Sequence, residues 1–333
     1  MLEQSGGRKP QGAGEPQLVS ESDLRAACSR AAEWPRPGRG ATWRRFELLA
    51  ELAQADLALG RLVEAHVDAL AILDELGSPH GAGADGAGSA RWGVWAAGPA
   101  GSVRAERRDG RWCLRGAKWW CSGATLLTHA LVDAATADGQ RLFAVDLTAV
   151  GVCVGPPGWI GPGMVRTDTR TVEFLDVAGA PVGDPGQYLD RPGFWAGAIG
   201  VAACWYGGTA AVADALWAPM KEPDPHGLVH RARVHVALTQ DEALLRLAAD
   251  RIDDDPGAHH AVLARTVRST VAANATAVID DVGRALGPAP LAFDARHGRA
   301  VLDLQVYVRQ EHAERDLEAL GRDLERRGAG WAP

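Results

Sequence analysis

The spacing of hydrophobic side chains changes twice along the chain. Over residues 21–90, apolar positions recur every three or four residues, as at Phe46 and Leu49, which is typical of amphipathic helices. Over residues 91–191 the period falls to about two, which predicts short β-strands. Helical spacing returns over residues 192–333. We therefore expect an α+β protein with an N-terminal helical domain, a central antiparallel β-barrel or sandwich domain and a C-terminal helical bundle.

The N-terminal helical domain is predicted to contain a first helix over residues 24–34, which Ser22 can cap, and a longer helical stretch over residues 42–77. The longer stretch is interpreted as two helices, or as one helix broken near Gly60, because glycine weakens a helix interior. Residues 1–20 are rich in Gly, Pro, Gln and Glu, and we expect them to be disordered.

The two later domains follow from the same patterns. In the C-terminal bundle, residues 193–216 are apolar almost all round, which predicts a central buried helix. The last predicted helix runs unbroken to residue 327, because its sequence consists of strong helix formers. The predicted strands are residues 90–97, 101–110, 111–123, 128–139, 140–147, 150–155 and 170–179, and the further helices are residues 231–253, 257–287 and 295–327.

Composition excludes several classes of function. The formal net charge is −7 and basic residues are scattered, so we expect no nucleic-acid partner. No apolar run reaches the roughly 20 residues needed to cross a bilayer, and the start lacks the apolar stretch of a signal peptide, so we expect a cytoplasmic protein without membrane contact. The five cysteines form no CxxC pair, and the adjacent His259 and His260 diverge on a helix, so no metal site is predicted.

The segment GAKWWCSGA, residues 116–124, is the clearest candidate site. Strand alternation would place Trp120 and Ser122 on one face, about 6 to 7 Å apart, and Trp119 with Cys121 on the other. An indole plane beside a hydroxyl can hold a flat ring by stacking and hydrogen bonding. The alternative is that both tryptophans belong to the core and that Ser122 is a turn residue.

This segment, within the order of helices, strands and helices, resembles the acyl-CoA dehydrogenase family of flavoproteins over residues 40–325. A strand of that family reads G-x-K-x-W-I-T-[NS]-[AG], and this chain matches it at Gly116, Lys118, Trp120, Ser122 and Ala124. The resemblance implies FAD as the cofactor, with FMN as the alternative. It also implies that the cofactor-binding strand includes Trp120, Cys121 and Ser122, with the serine hydroxyl near the flavin N5.

Other parts of the family pattern are altered. Where the family has Thr-Glu-Pro and Gly-Ser-Asp, this chain has Ala97, Gly98 and Pro99, so flavin contact there is left to backbone N–H groups. Trp95 is either a further ring contact or a core residue. The family's long hairpin with Arg and Phe-Gly is absent, and Arg231 either contacts the flavin pyrophosphate or is solvated.

The last predicted helix carries the candidate catalytic residues. In the family, an Asp and a Tyr lead to a Glu-Gly-Thr that ends a helix, and the Glu removes the substrate α-proton. Alignment on Asp303 and Tyr307 places Glu311 at that Glu, followed by His312. A related monooxygenase branch has a His in this helix, so His312 is the alternative catalytic residue. The alternative to a catalytic role is that Glu311 and His312 lie on an exposed helix face, where Glu311 forms an ion pair with Arg315.

Three functions are therefore open. The first is FAD-dependent α,β-dehydrogenation of an acyl-CoA or other acyl thioester by a cytoplasmic homodimer or homotetramer. The second is monooxygenation by reduced flavin. The third is a degenerate, flavin-free member of the fold that acts as a binding or assembly subunit.

Overall fold

A computed structural model describes residues 17–77, 90–98, 101–217 and 224–328. Most of the segment predicted to be disordered, residues 1–16, lies outside the described residues. The structure confirms the α+β class, with helices before and after one mixed sheet. The helices are α1 Glu21–Ala31, α2 Thr42–Ala55, α3 Leu57–Leu76, α4 Gln187–Asp190, α5 Gly193–Ala213, α6 Pro225–Asp254, α7 Ala261–Leu286, α8 Ala289–Phe293, α9 Ala295–Tyr307 and α10 Glu314–Arg327.

Polar residues that the hydrophobic pattern did not single out cap the first and third helices at their N-termini. Ser20, not Ser22, caps α1, because its hydroxyl accepts a hydrogen bond from a backbone N–H of the first turn. The long stretch breaks at Asp56, whose carboxylate caps α3. Gly60 therefore lies inside α3, where a Cβ atom would come within 2.8 Å of the Ala53 Cα. Its role is close packing of α3 on α2.

Within the described residues, eight strands form the central sheet, in the order β6-β7-β3-β2-β4-β5-β8, with β1 beside β4. The pairings β1–β4 and β2–β4 are parallel and the others are antiparallel, so the sheet is mixed. The chain between β3 and β4 is a turn of several residues and not a tight hairpin, which lets β4 run parallel to β2. The strands are β1 Trp92–Trp95, β2 Val103–Arg108, β3 Arg111–Cys121, β4 His129–Thr136, β5 Gly139–Asp146, β6 Val152–Val154, β7 Arg170–Ala178 and β8 Ala180–Val182.

Helix α5 is the centre of the C-terminal helices, and one hydrophobic core runs from it to α2, α3 and the sheet. The helices α2 and α5 touch at Gly207, where a Cβ atom would lie 2.1 Å from the Ala50 carbonyl oxygen. The segment Gly193–Trp217 is long and apolar enough to cross a bilayer by length and composition. However, 72% of its most apolar window is buried inside the protein, as in a core helix.

The prediction of one unbroken last helix is wrong. Helix α9 ends at Tyr307 and continues as a short 3₁₀ turn, Val308–Gln310. Three residues separate that turn from helix α10, and the last of them, Ala313, has φ +49°. Helix propensity is overridden here because tertiary hydrogen bonds hold the intervening residues in a turn.

Candidate active site

The end of strand β3 contains a β-bulge. The register against β7 shifts between Lys118 and Cys121, and Trp120 has φ +62°. As a result Trp119 and Trp120 both point outward, with 49% and 60% of their surface exposed. The prediction from strand alternation that Trp119 lies on the same face as Cys121 is therefore wrong. The alternative that placed both tryptophans in the core is also wrong.

Two buried side chains on either side of the tryptophans account for the bulge. Lys118 is buried and forms an ion pair with Asp133 on β4. Cys121 is fully buried in the main core. Because both residues must point inward, two consecutive residues between them face solvent, which requires the extra residue that a bulge supplies.

The Ser122 hydroxyl is the first member of a chain of three hydroxyl groups. Its Oγ lies 2.9 Å from Thr169 Oγ1, which lies 2.9 Å from Thr167 Oγ1. Thr167 Oγ1 donates to the Met164 carbonyl oxygen at 2.7 Å, and a carbonyl can only accept. Thr169 must then donate to Thr167, and Ser122 to Thr169. The Ser122 oxygen is therefore left as an acceptor toward any ligand.

Three other residues predicted to bind the cofactor have different surroundings. Trp95 is buried, and its indole N–H donates to the Ser122 carbonyl oxygen at 3.1 Å. The side chains of Trp95 and Cys121 therefore support the strand end from the core, and neither side chain has a surface for a cofactor. Ala97 is exposed just beyond β1. Its neighbours Pro99 and Ala100 lie outside the described residues.

Arg231 belongs to helix α6 and not to a hairpin. Its guanidinium carbon lies 5.7 Å from the centre of the Trp217 ring. The neighbouring Arg233 contacts Asp281 at 3.5 Å, and His230 contacts the same carboxylate. Contact of Arg231 with a pyrophosphate stays a prediction.

A loop of the β domain, residues 159–164, contacts both the end of β3 and helix α9. The Trp120 ring packs edge-on against Trp159, with 5.9 Å between ring centres. The Trp159 indole N–H donates to the Gly163 carbonyl oxygen at 2.8 Å. A Cβ atom on Gly163 would lie 2.3 Å from the Leu302 carbonyl oxygen, so the loop lies directly on α9. The next residue along the loop donates its N–H to Asp303.

Glu311 lies in the turn between α9 and α10 and is partly buried. One carboxylate oxygen accepts from the Ser269 hydroxyl at 3.0 Å, and the other from the Ala313 N–H at 2.8 Å. No ion pair joins Glu311 to Arg315 in the part of the chain that the structure describes, so the exposed-helix alternative is wrong for Glu311. His312 is exposed, and its Nδ1 lies 3.4 Å from Asp316.

A cavity of about 340 Å³ opens beside this turn. Its walls come from α3, α4, α5, α7 and the turn, and His312, Gln310 and Ser269 all line it. The hydroxyl that holds Glu311 is thus part of the cavity wall. His312 lines this cavity, whereas Glu311 contacts the wall residue Ser269 without lining the cavity itself, and Trp120 and Ser122 lie at the end of β3.

The sequence reasoning missed two residues of the cavity wall. Glu64 on α3 is buried, and burial raises the pKa of its carboxyl group to about 7. Arg268 on α7 lies opposite, at the turn. A signal for Glu64 was present, because it lies between the apolar residues Val63 and Ala65 on a helix that is buried on most sides.

Comparisons with known proteins identify the fold. No protein-family model matches the sequence, and the comparison with curated proteins gives no match. Butyryl-CoA dehydrogenase from Megasphaera elsdenii is similar in structure, with a TM-score of 0.76 at 16% identity, over 92% of this chain and 90% of that one. The protein therefore has the acyl-CoA dehydrogenase fold, which confirms the resemblance at the level of fold.

Two further solved structures have the same fold but different activities. Dibenzothiophene monooxygenase from Paenibacillus sp. A11-2 has a TM-score of 0.70 at 21% identity, over 90% of this chain and 94% of that one. A glutaryl-CoA dehydrogenase from Mycobacterium smegmatis, in complex with FADH2, has a TM-score of 0.68 at 17% identity, over 91% and 94%. The fold thus occurs with both dehydrogenase and monooxygenase activities.

Proposed function

We propose that this protein is a flavin-dependent oxidoreductase that dehydrogenates an acyl thioester or a related substrate, with Glu311 as the base. The observation that carries the proposal is the exposed Trp120 indole at the end of β3, with the Ser122 hydroxyl two residues further along the chain, at the motif positions where the resemblance implies a flavin ring. Both residues are fixed from below, by the bulge and by the buried Trp95.

The residues at the end of β3 fit a flavin ring. The Trp120 indole is 60% exposed and offers a plane for stacking. The Ser122 oxygen, two residues further along the chain, offers a hydrogen-bond acceptor. When bound, a flavin accepts hydride from a substrate carbon or, in its reduced form, reacts with oxygen.

Glu311 fits the role of a base in position and in surroundings. It follows the end of α9, where the resemblance implies the catalytic Glu, and its carboxylate is held by Ser269 in the cavity wall. Removal of a proton next to a thioester carbonyl requires a carboxylate within hydrogen-bond reach of that proton. Glu311 would have to exchange its bond to Ser269 for this contact, so we infer that Ser269 positions the carboxylate before substrate binds.

The test begins with flavin binding. Purified protein is titrated with FAD and with FMN and followed by absorbance at about 450 nm, where oxidised flavin absorbs. Because the Ser122 oxygen acts as an acceptor, the hydrogen bond it can lose is to the N5–H of reduced flavin, and loss of about 0.5 to 1.5 kcal/mol should weaken binding of reduced flavin about 2- to 12-fold in Ser122→Ala. Ser122→Thr, which keeps the hydroxyl, is the matched control. Protein that binds neither flavin in either redox state would exclude both enzymatic functions and favour the flavin-free binding subunit.

Monooxygenation by reduced flavin is a second candidate, and a specific observation favours it. The hydroxyl chain leaves the Ser122 oxygen as an acceptor, which complements the N5–H group of reduced flavin better than the bare N5 of oxidised flavin. His312 also lines the cavity, where it can take a proton from a substrate. Oxygen consumption that depends on a separate flavin reductase would support this reaction, whereas anaerobic bleaching of bound FAD by an acyl-CoA would support dehydrogenation.

A further inference from the structure

Arg268 is a cation in the cavity wall that has no carboxylate partner among the described residues. Its guanidinium donates to the carbonyl oxygens of Ala198 and Gln310, each at 2.9 Å, and lies 4.5 Å from the centre of the Trp205 ring. Throughout residues 17–77, 90–98, 101–217 and 224–328, no carboxylate oxygen lies within 4 Å of it. Two carbonyl bonds occupy only two of the five guanidinium N–H donors.

The other charged groups of the wall are paired. Arg191 contacts Glu75 at 2.7 Å and Asp68 at 3.4 Å. Arg265 contacts Asp323, and Asp316 accepts from the backbone N–H of His312 and lies near its ring. Glu64 accepts from Arg61 at 2.7 Å. Arg268 is thus the wall cation with the greatest unused capacity to bind an anion.

Two of the three aromatic side chains of the wall, those of Trp195 and Tyr188, already have an arginine over the ring. The Arg265 guanidinium lies 4.5 Å from the centre of the Trp195 ring, and the Arg191 guanidinium lies 5.6 Å from that of Tyr188. A bound organic cation would have to compete with these arginines for the ring faces. The volume, about 340 Å³, suits a compact organic molecule or the end of a larger one.

We propose that this cavity binds a small organic molecule through its carboxylate group, with the open edge of the Arg268 guanidinium as the anchor. A carboxylate can accept two parallel N–H bonds from a guanidinium, which gives both orientation and selectivity. The proposal rests on the proposed function in one respect: it takes this ligand as the substrate, or as the end of the substrate that enters the cavity.

Glu64 makes the binding depend on pH. Below a pH of about 7 its carboxyl group is largely neutral and can donate to the ligand, whereas above it the carboxylate repels the ligand. Binding should therefore be tighter at pH 6 than at pH 8. The charged and titratable groups that face Glu64 are Arg61 and Asp68 on α3, Arg45 on α2, Tyr188 on α4, Cys204 on α5, Arg268 on α7 and Tyr307 on α9.

The experiment is isothermal titration calorimetry of the full chain without added flavin. Phenylacetate, phenylacetamide and phenethylamine have nearly the same shape and differ in charge. We expect phenylacetate to bind at least about tenfold more tightly than the amide, because a charge-assisted bidentate pair contributes more than neutral hydrogen bonds. Arg268→Gln should abolish this preference. Arg246→Gln is the matched control, because Arg246 also stacks on a tryptophan, Trp43, but lies outside the cavity wall.

Further variants keep the test decisive. If Arg268→Gln does not fold, Arg268→Lys, which keeps the charge but not the planar fork, should show a reduced preference. Glu64→Gln should remove the difference between pH 6 and pH 8. Equal affinity for the three compounds, no binding of any, preference for the amine, or a preference unchanged in the Arg268 variants would overturn the proposal. If the protein binds flavin but does not prefer phenylacetate, only the proposed ligand class is contradicted. If it prefers phenylacetate but binds no flavin, only the proposed function is contradicted.

Discussion

Hydrogen-bond direction at Ser122 depends on Thr169, a residue 47 positions away in sequence. Thr169→Val keeps the shape of the side chain but removes the acceptor, so the Ser122 proton becomes available for oxidised flavin. The variant should therefore favour oxidised flavin more than the unmodified protein does. For one hydrogen bond of about 0.5 to 1.5 kcal/mol, the midpoint potential of bound flavin should fall by about 10 to 30 mV.

The measurement is a spectroscopic redox titration of flavin bound to each variant. Thr171→Val is the matched control, because Thr171 lies two residues further along, in β7, and is exposed. An equal change in both variants, or a rise in potential in Thr169→Val, would contradict the direction assigned to the hydroxyl chain.

Glu311 is the second residue whose role can be isolated. Glu311→Gln keeps an acceptor for Ser269 but cannot take a proton, so bleaching of bound flavin by an acyl-CoA should fall by at least about 100-fold while flavin binding is kept. Stopped-flow absorbance under anaerobic conditions measures both. Glu314→Gln, which alters an exposed carboxylate at the start of α10, should change neither. A Glu311→Gln protein that bleaches at the original rate would place the base elsewhere.

At the scale of single elements, Asp56 separates α2 from α3 and also joins them to the β domain. Its carboxylate accepts from the N–H groups of Ala58 and Leu59, both at 3.1 Å, and pairs with Arg166 at 2.6 Å. Asp56→Ala removes both functions, and we expect a loss of about 1 to 2 kcal/mol or more in the free energy of unfolding. Urea denaturation followed by circular dichroism measures the loss.

Ser20→Ala provides the comparison for Asp56→Ala. Ser20 caps α1 with one exposed hydrogen bond and makes no ion pair, so its loss should cost about 1 kcal/mol or less. If Asp56→Ala costs no more than Ser20→Ala, the link between Asp56 and Arg166 adds nothing to stability.

The limits of sequence-based prediction are clearest at the ends of these elements. Hydrophobic period was enough to predict α1, α2, α3, α5, α6, α7 and seven of the eight strands in the described residues, but not the short helices α4 and α8 or the break between α9 and α10. It could not predict the bulge at Trp120, because that depends on Lys118 meeting Asp133 on another strand. Similarly, the break after α9 depends on Ser269, which is 42 residues from Glu311. Both features of the candidate site therefore depend on contacts between residues that are distant in sequence and meet only in the folded protein.

At the scale of the whole molecule, the sites rest on helices packed around α5, and this packing includes buried polar groups. Asp241 lies between α6 and α7 with no exposed surface. One of its oxygens accepts from the Asn274 amide at 2.7 Å, and within the described residues the other has no partner. Burial raises the pKa of Asp241 to about 7. A carboxylate at this position is therefore unfavourable when it is charged.

The sign of the resulting pH dependence follows from proton binding. The pKa of Asp241 is raised in the folded protein, so between about pH 4 and pH 7 the folded state binds more protons than the unfolded state, and the stability contributed by this group falls as the pH rises. Asp241→Asn removes the titration. The variant should therefore be more stable than the unmodified protein at pH 8, by at most about 4 kcal/mol, and nearly equal to it at pH 4.

Urea unfolding of both proteins at pH 4, 6 and 8 tests this prediction, and the difference at each pH cancels the contribution of other groups. His66, whose pKa burial lowers to about 4, is one such group. Asp250→Asn, an exposed change on the same helix, should give a small difference that does not vary with pH. Helices α6 and α7 meet at Asp241, and α7 also carries Ser269 and Arg268 of the cavity wall. A higher free energy of unfolding for Asp241→Asn at pH 8 would therefore show that this buried carboxyl group affects the stability of the helices that support the cavity. A variant less stable than the unmodified protein at pH 8 would instead mean that the ionised carboxylate is favourably solvated between the two helices.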